Sequence, residues 1–488
     1  MNAHHTTALA CVVLFFLSNT AQAAETAPGP LRVHPDNLRY FSDGAKRKDG
    51  TLNVVYLTGA HTWNNLVDMG RHDPPEPFDF GAYLNFLERH HHNFIRLWAW
   101  DSTWWDTRAN GRLGKDFVHH AAPQPWLRTG PGEALDGKPR FDLTRFNPAY
   151  FERLRSRVDD AGGRGIYVSV MLFEGWGLTH GNRRRNLRED GWAWRSHPFN
   201  PSNNINGVDV EGAGALNGRM HVLGNPEAND LQGAYIRRVV DTVNDLDNVL
   251  YEVINEGGEK EWDWWVANTI REHERTKPKQ HPIGITGHGA ERIDSMLASP
   301  ADWISPGRND GYAENPPAWD GRKVSLLDTD HIWGVGGNVA WVWKSFARGH
   351  NPIFMDPYDG SVLGEDRGWK PIRAALGHTR QLAKRLDLAS MKPHNELAST
   401  GYCLAAPGSA YVVVQPSSGD GFTVDLQAGA YHYEWLNAAN GEVAENGRID
   451  AESGAREFNP PFEGVAVLYL CDLRLTGRGL ATTTLAKD

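Results

Sequence analysis

Cysteine is scarce in this chain: three in 488 residues. Cys11 lies in an apolar opening stretch. Cys403 and Cys471 remain, as one disulfide of an oxidising compartment or as two buried thiols, which excludes a disulfide-built scaffold. Cys/His spacing of the metal-binding kind is absent, so no metal is expected, and His90-His91-His92 reads as the solvated end of a helix. The net charge is −10, and the one basic run is Arg183-Arg184-Arg185. That balance argues against a nucleic-acid partner. The arginine run reads as a solvated loop, with pairing to acidic sugars as the alternative. Beyond the first 23 residues no apolar run is long enough to span a bilayer. No glycine-rich phosphate loop follows the first strand, which counts against an open nucleotide-binding sheet.

What is present begins with a leader. Residues 1–23 contain no Asp, Glu, Lys or Arg, residues 8–17 are apolar, and Ala21-Gln22-Ala23 is a small-x-small cleavage site. This reads as a secretory signal, so the mature chain is expected to be secreted or periplasmic, with no membrane anchor. The body, residues 31–395, alternates strands and helices. Strands are expected at 52–57, 94–100, 165–173, 248–254, 282–286, 303–305, 323–327 and 352–355. Amphipathic helices lie between most of them, and the segment 101–146 reads as a long loop. Eight such units predict a closed (β/α)8 TIM barrel. From 396 to 475 short β runs separated by turns predict a small all-β sandwich, and residues 476–488 read as a frayed tail.

The strand ends on one rim are unusually polar. They carry His61, Arg96 with Trp98 and Trp100, Glu174, Asn255 with Glu256, His288, Asp328 with Asp330, and Asp356; His331 and Trp333 follow closely. A carboxylate beside an amide at the end of a buried strand is costly unless it is bonded or used, and barrels of this kind place their sites at this rim. Glu256 and Asp330 end the fourth and seventh strands, which face each other across the barrel. Two such carboxyls can cleave a glycosidic bond, one donating a proton and the other engaging the anomeric carbon. Arg96 would hold the strand-seven carboxylate ionised, and a second carboxylate nearby would hold Glu256 protonated. The nineteen Trp include Trp98, Trp100 and Trp333 at strand ends, positions suited to stacking on sugar rings. His61, His288, His331, Glu174 and Asp356 are candidate substrate contacts, each with a purely structural role as its competing reading.

These residues resemble clan A glycoside hydrolases. That clan has an Asn-Glu pair ending strand four, with Glu as acid/base. It has a carboxylate ending strand seven as nucleophile and an Arg on strand two, here in Asn93-Phe94-Ile95-Arg96-Leu97. Within the clan the layout is similar to the apiosidase-like secreted barrels, whose C-terminal β-sandwich is labelled a collagen-binding domain. The matching motifs include Asp328-Thr329-Asp330-His331-Ile332-Trp333-Gly334, Trp341-Val342-Trp343-Lys344-Ser345-Phe346 and Asn351-Pro352-Ile353-Phe354-Met355-Asp356. The chain departs from the clan in offering Asp rather than Glu on strand seven, which leaves Asp328 or Asp330 as nucleophile and retention or inversion open. The resemblance implies a retaining hydrolase of a polysaccharide or oligosaccharide with no cofactor, Glu256 as acid/base and Asp330 as nucleophile. Asn255 and Asp328 would contact the sugar or, for Asp328, position Arg96. The alternative is a non-catalytic carbohydrate-binding protein on a decayed barrel.

Overall fold

The computed structural model describes residues 29–106, 118–179, 193–210, 220–287, 292–309, 311–417 and 419–476. The leader, Arg183-Arg184-Arg185, His288 and residues 477–488 lie outside them. No helix among the described residues is long and apolar enough to cross a membrane.

Eight parallel strands close into one barrel. They are β1 (Gly59–His61), β2 (Phe94–Leu97), β3 (Tyr167–Glu174), β4 (Val249–Asn255), β5 (Ile283–Thr286), β6 (Trp303–Ser305), β7 (Val324–Asp328) and β8 (Asn351–Met355). Outer helices are α1 (Phe80–Arg89), α2 (Pro148–Gly162), α3 (Pro226–Val243), α4 (Lys260–Glu274), α5 (Arg292–Ala298), α6 (Val339–Ala347) and α7 (Lys370–Ala383). Local chemistry sets several of their starts. Asp79 caps α1 by accepting from the Ala82 N–H, and Asn147 and Asn225 cap α2 and α3, each followed by a proline at the first turn. Among the described residues no helix stands between β6 and β7.

The first strand differs from expectation. Residues 52 and 55 form isolated bridges to Lys46 and Phe41 beneath the barrel, and the barrel strand begins only at Gly59, which brings His61 into the strand itself. The segment 101–146 is also not a plain loop. It holds strands Trp104–Asp106 and Val118–Ala122, which join Asp68–Gly70 in a small sheet, and the hairpin Trp126–Glu133 with Pro139–Phe146. His92, expected in solvent, is buried and meets the Arg373 carbonyl at 2.9 Å.

The lower barrel is filled by apolar side chains, among them Leu57, Phe94, Leu250, Trp303, Val324 and Ile353. A Cβ at position 284 would lie 1.9 Å from the Trp303 indole, so the large ring in this plug requires glycine there. The upper barrel is charged and equally buried.

The C-terminal region is an antiparallel six-stranded sheet facing a two-stranded one. Val412, Val414, Leu436, Val467 and Tyr469 of the large sheet join the barrel's core cluster, and the Trp343 indole donates to the Ala438 carbonyl. The strands Val443–Ala451 and Gly454–Phe458 were not expected; their mostly exposed, polar residues lack an apolar alternation. Both cysteines are free. The strand Ala410–Gln415 lies between theirs, pairing Cys403 with Val413 and Cys471 with Ala410. Two interstrand spacings, roughly 9–10 Å, exceed disulfide reach, so of the two alternatives the structure has two buried thiols.

Candidate active site

Arg96 organises the mouth of the barrel. It is 2 % exposed and makes a bidentate pair with Glu252 of β4, at 2.9 Å through Nε and 2.5 Å through a terminal nitrogen. The other terminal nitrogen lies 3.0 Å from both Asp328 and Asp330. The Asn255 Oδ1 accepts from the terminal nitrogen that meets Glu252, at 2.9 Å. Burial works against the cation, but the charges of Glu252 and Asp328 more than offset this and raise its pKa. Sequence reasoning missed Glu252. Its signal was there: one carboxylate inside a seven-residue strand that is buried throughout.

The two aspartates of Asp328-Thr329-Asp330 meet different surroundings. Asp328 ends β7, and both of its oxygens are used. It accepts from His61 Nε2 at 3.0 Å, from Arg96, and from the Asp330 N–H at 2.9 Å. The Trp98 indole donates to His61 Nδ1 at 2.8 Å, so the ring proton sits on Nε2 and points at Asp328. Burial opposes ionisation of Asp328, yet His61 and Arg96 outweigh it and hold the carboxyl below its ordinary range. Asp330 lies beyond the strand, in the turn closed by Thr329, whose hydroxyl accepts from the Met355 N–H at 2.8 Å. Its carboxyl turns toward Glu256. Burial pushes it up to about 6 against the pull of Arg96, with the Asp328 charge adding to the rise.

Glu256 follows β4 with φ 46, in the left-handed region that non-glycine residues rarely occupy. Gly257 lets that turn press against the end of β3. A Cβ on Gly175 would stand 2.7 Å from the Gly257 Cα, and one on Gly257 would stand 2.9 Å from the Gly175 Cα. Burial, then the Asp330 and Glu174 charges, push the Glu256 carboxyl well above its usual range. Glu256, Asp330 and His331 each place one ligand atom within 4.8 Å of the others. That trio has the donor types of a metal site, but the Arg96 guanidinium already pairs with Asp330 and opposes a further cation. His331 Nδ1 meets Ser305 Oγ at 2.7 Å and its Nε2 faces Asn255 Oδ1 at 3.2 Å.

Glu174 belongs to the same cluster. It is buried, pairs in register with Asn255, and accepts from the Gly177 N–H at 3.1 Å. Burial and then the Asp101 charge raise its pKa well above normal. Asp101, also missed in the sequence, is held ionised by His197 and His221 against the cost of burial.

Three expected contacts sit elsewhere. Trp98 and Trp100 are 1 % and 3 % exposed, stacked on each other at 5.8 Å with the Trp100 indole bonded to the Trp63 carbonyl. They form a buried wall and not an open platform. Asp356 turns away and is paired with Arg373, which Asp366 also holds, so it ties β8 to α7. Trp333 stays half-buried at the rim, edge-on to Trp341. A cavity of about 450 Å³ opens at the opposite end of the barrel beside Tyr56, Asn93, Tyr167 and Arg380, and none of these carboxyls lines it.

The comparisons with known proteins fall on this geometry. A family model described as a domain of unknown function (DUF6298) matches residues 102–302. No curated protein matches. Among solved structures, a candidate glycoside hydrolase from Bacteroides vulgatus superposes with a TM-score of 0.61 at 15 % identity, covering 91 % of this chain and 83 % of its own. A glycoside hydrolase family 5 protein from the same organism gives 0.59 at 14 % identity, covering 94 % and 97 %. The likeness is one of fold, and at 91–94 % of this chain it takes in the barrel and the C-terminal sheets together.

Proposed function

We propose that the protein is a secreted, retaining glycoside hydrolase acting on O-glycosidic bonds of an oligosaccharide or polysaccharide. The observation that carries this reading is the pairing of Glu256 with Asp330 across the mouth, their nearest oxygens within 4.8 Å. Retaining enzymes hold their two carboxyls about 5–5.5 Å apart, whereas inverting ones keep about 6.5–9.5 Å to admit a water. Near neutral pH Glu256 carries the proton and Asp330, at about 6, is mostly ionised. Glu256 would protonate the leaving oxygen while Asp330 attacks the anomeric carbon. Glu256 would then take a proton from the water that releases the sugar. Asp328 is the weaker nucleophile, because His61, Arg96 and the Asp330 N–H already occupy its oxygens. It serves better as the anchor that fixes Arg96.

The decayed-barrel alternative lacks support from this cluster, in which Arg96, Asn255, Glu256 and Asp330 all remain in contact range. A collagen-binding role for the C-terminal sandwich is also disfavoured, because one face of its large sheet is already buried on the barrel. Turnover of an aryl glycoside panel, with proton NMR of the first-formed product, tests the reading. Retained anomeric configuration is expected, and inverted product would exclude the proposed nucleophile.

A further inference from the structure

Asn255 ends β4 with an amide that can face only one way. Its Oδ1 accepts from Arg96 at 2.9 Å and lies 3.2 Å from His331 Nε2. An arginine only donates, so the amide oxygen is fixed on that side and Nδ2 on the other. There its neighbour in register is Glu174, whose carboxyl hydrogen-bonds the Asn255 side chain. Glu174 is itself braced. Both of its oxygens lie 3.1 Å from the Gly177 nitrogen, and a Cβ on Gly177 would stand 2.9 Å from Oε2, so glycine there lets the carboxyl fold over its own turn. The Glu174 N–H donates to Asp101 Oδ1 at 3.3 Å. Asp101 Oδ2 meets His221 Nε2 at 3.2 Å and His197 Nε2 at 3.8 Å. The Phe199 N–H donates to His197 Nδ1 at 3.1 Å, so that ring carries its proton on Nε2, toward Asp101. Loops after β2 and β3 thus hold the end of β3. The groups bonding the Glu174 oxygens are donors, which suits an ionised carboxylate. A buried carboxylate is costly unless it is used. The same strand end presses on the next residue of β4: a Cβ on Gly175 would stand 3.1 Å from the Glu256 carbonyl oxygen.

We propose that Glu174 is a positioning residue for the cleavage step: it turns the Asn255 amide so that the second Nδ2 hydrogen is left for the substrate, and it sets a negative charge beside Glu256. The link to cleavage rests on the hydrolase reading; the hold on Asn255 and Glu256 does not. The other charges facing Glu256 are Asp330 and Asp328 from the β7 side, which like Glu174 favour its protonated form, and Arg96 from β2, which opposes it. Loss of the Glu174 charge therefore makes Glu256 easier to ionise.

Two substitutions separate the hold from the charge. Glu174→Asp keeps the charge and shortens the reach. Its kcat/KM on a cleaved aryl glycoside should fall roughly 10- to 100-fold, with the alkaline limb of the pH profile within about 0.3 pH unit of wild type. Glu174→Gln removes the charge and should also move that limb down by about one pH unit. In an Asn255→Ala background, adding Glu174→Asp should cost less than about threefold more, because the hold then has nothing to orient. Additive losses would make Glu174 a direct substrate contact, and an unmoved limb in Glu174→Gln would make it merely structural; either result overturns the proposal. If Glu174→Gln does not fold, the additivity of the other two variants decides. Carbon-13 NMR of the glutamate carboxyls, with the Glu256 line assigned from Glu256→Gln, follows the same ionisation without turnover. A lowered Glu256 midpoint in Glu174→Gln, in a protein that cleaves no glycoside, would end the hydrolase reading and leave the hold on Glu256 standing. An unchanged midpoint would overturn the proposal whether or not the protein cleaves.

Discussion

The two halves of the barrel interior are equally dry and chemically opposite. Below, Leu57, Phe94, Leu250, Trp303, Val324 and Ile353 form an apolar plug. Above, Arg96, Glu252 and Asp328 are also buried, none more than 2 % exposed, yet all are charged. Apolar burial stabilises by removing surface from water, about 25 cal/mol per Å². Charge burial gains little net stability even when every partner is satisfied, since desolvation offsets the attraction. The upper layer is therefore explained by what it holds in place, and the lower one by what it contributes to folding.

The sharpest separation comes from the two carboxyls above Arg96. Glu256→Gln and Asp330→Asn should each lower kcat by roughly 10³- to 10⁴-fold, with melting temperatures at or above wild type. An equal loss of folded protein would place these residues with the plug. Next in size is a matched pair. Trp303→Ala in the plug should cost about 3–5 kcal/mol of stability and leave activity per folded molecule nearly unchanged. Arg96→Met should cost a similar amount, because it strands buried carboxylates, and should abolish activity as well. Denaturant titration beside kinetics of the folded fraction would show whether the two layers divide in this way.

Protonation gives a smaller effect with opposite signs for the two aspartates. The folded pKa of Asp330 is raised to about 6, so the native state binds the extra proton and loses stability as pH rises from ~4 toward 6. Asp330→Asn removes that loss, so its melting temperature relative to wild type should climb between pH 4 and 7. Asp328 is depressed. Its stabilisation is present above ~4 and fades as pH falls below that value, so Asp328→Asn should be most harmful near neutral pH. Activity should fall on the acid side below about 6, as Asp330 protonates, and on the alkaline side as Glu256 loses its proton. The smallest expected effect is at the cysteines. Burial pushes the Cys403 thiol up to about 12, and reductant should leave the melting temperature unchanged. A drop would mean that the two form a bridge.

The upper layer was also the more legible part of the sequence. Asn255-Glu256 and Asp328-Thr329-Asp330 break apolar strands with charged groups, and that contradiction marks them. Arg96 stands out for the same reason. Glu252 and Asp101 carried the same mark but sat mid-strand or inside a polar stretch, and only their shared partners, Arg96 and Glu174, show what they do. Asp356 and Trp98 looked equally significant in sequence. Their side chains face Arg373 and His61, a choice set by tertiary packing that no local pattern records. The first strand was misplaced because residues 52–57 have better β propensity than Gly59–His61, and barrel closure decided for the latter. The outer strands of the sandwich were missed because both are largely exposed and so carry little apolar periodicity.

The central claim is that Asp330 forms the covalent bond to the sugar. Once the panel identifies a cleaved glycoside, its 2-deoxy-2-fluoro analogue with a good leaving group should inactivate the enzyme. Peptide mass spectrometry should then find one glycosyl adduct, on Asp330. An adduct on Asp328, or an active enzyme that forms none and releases inverted product, would contradict this account.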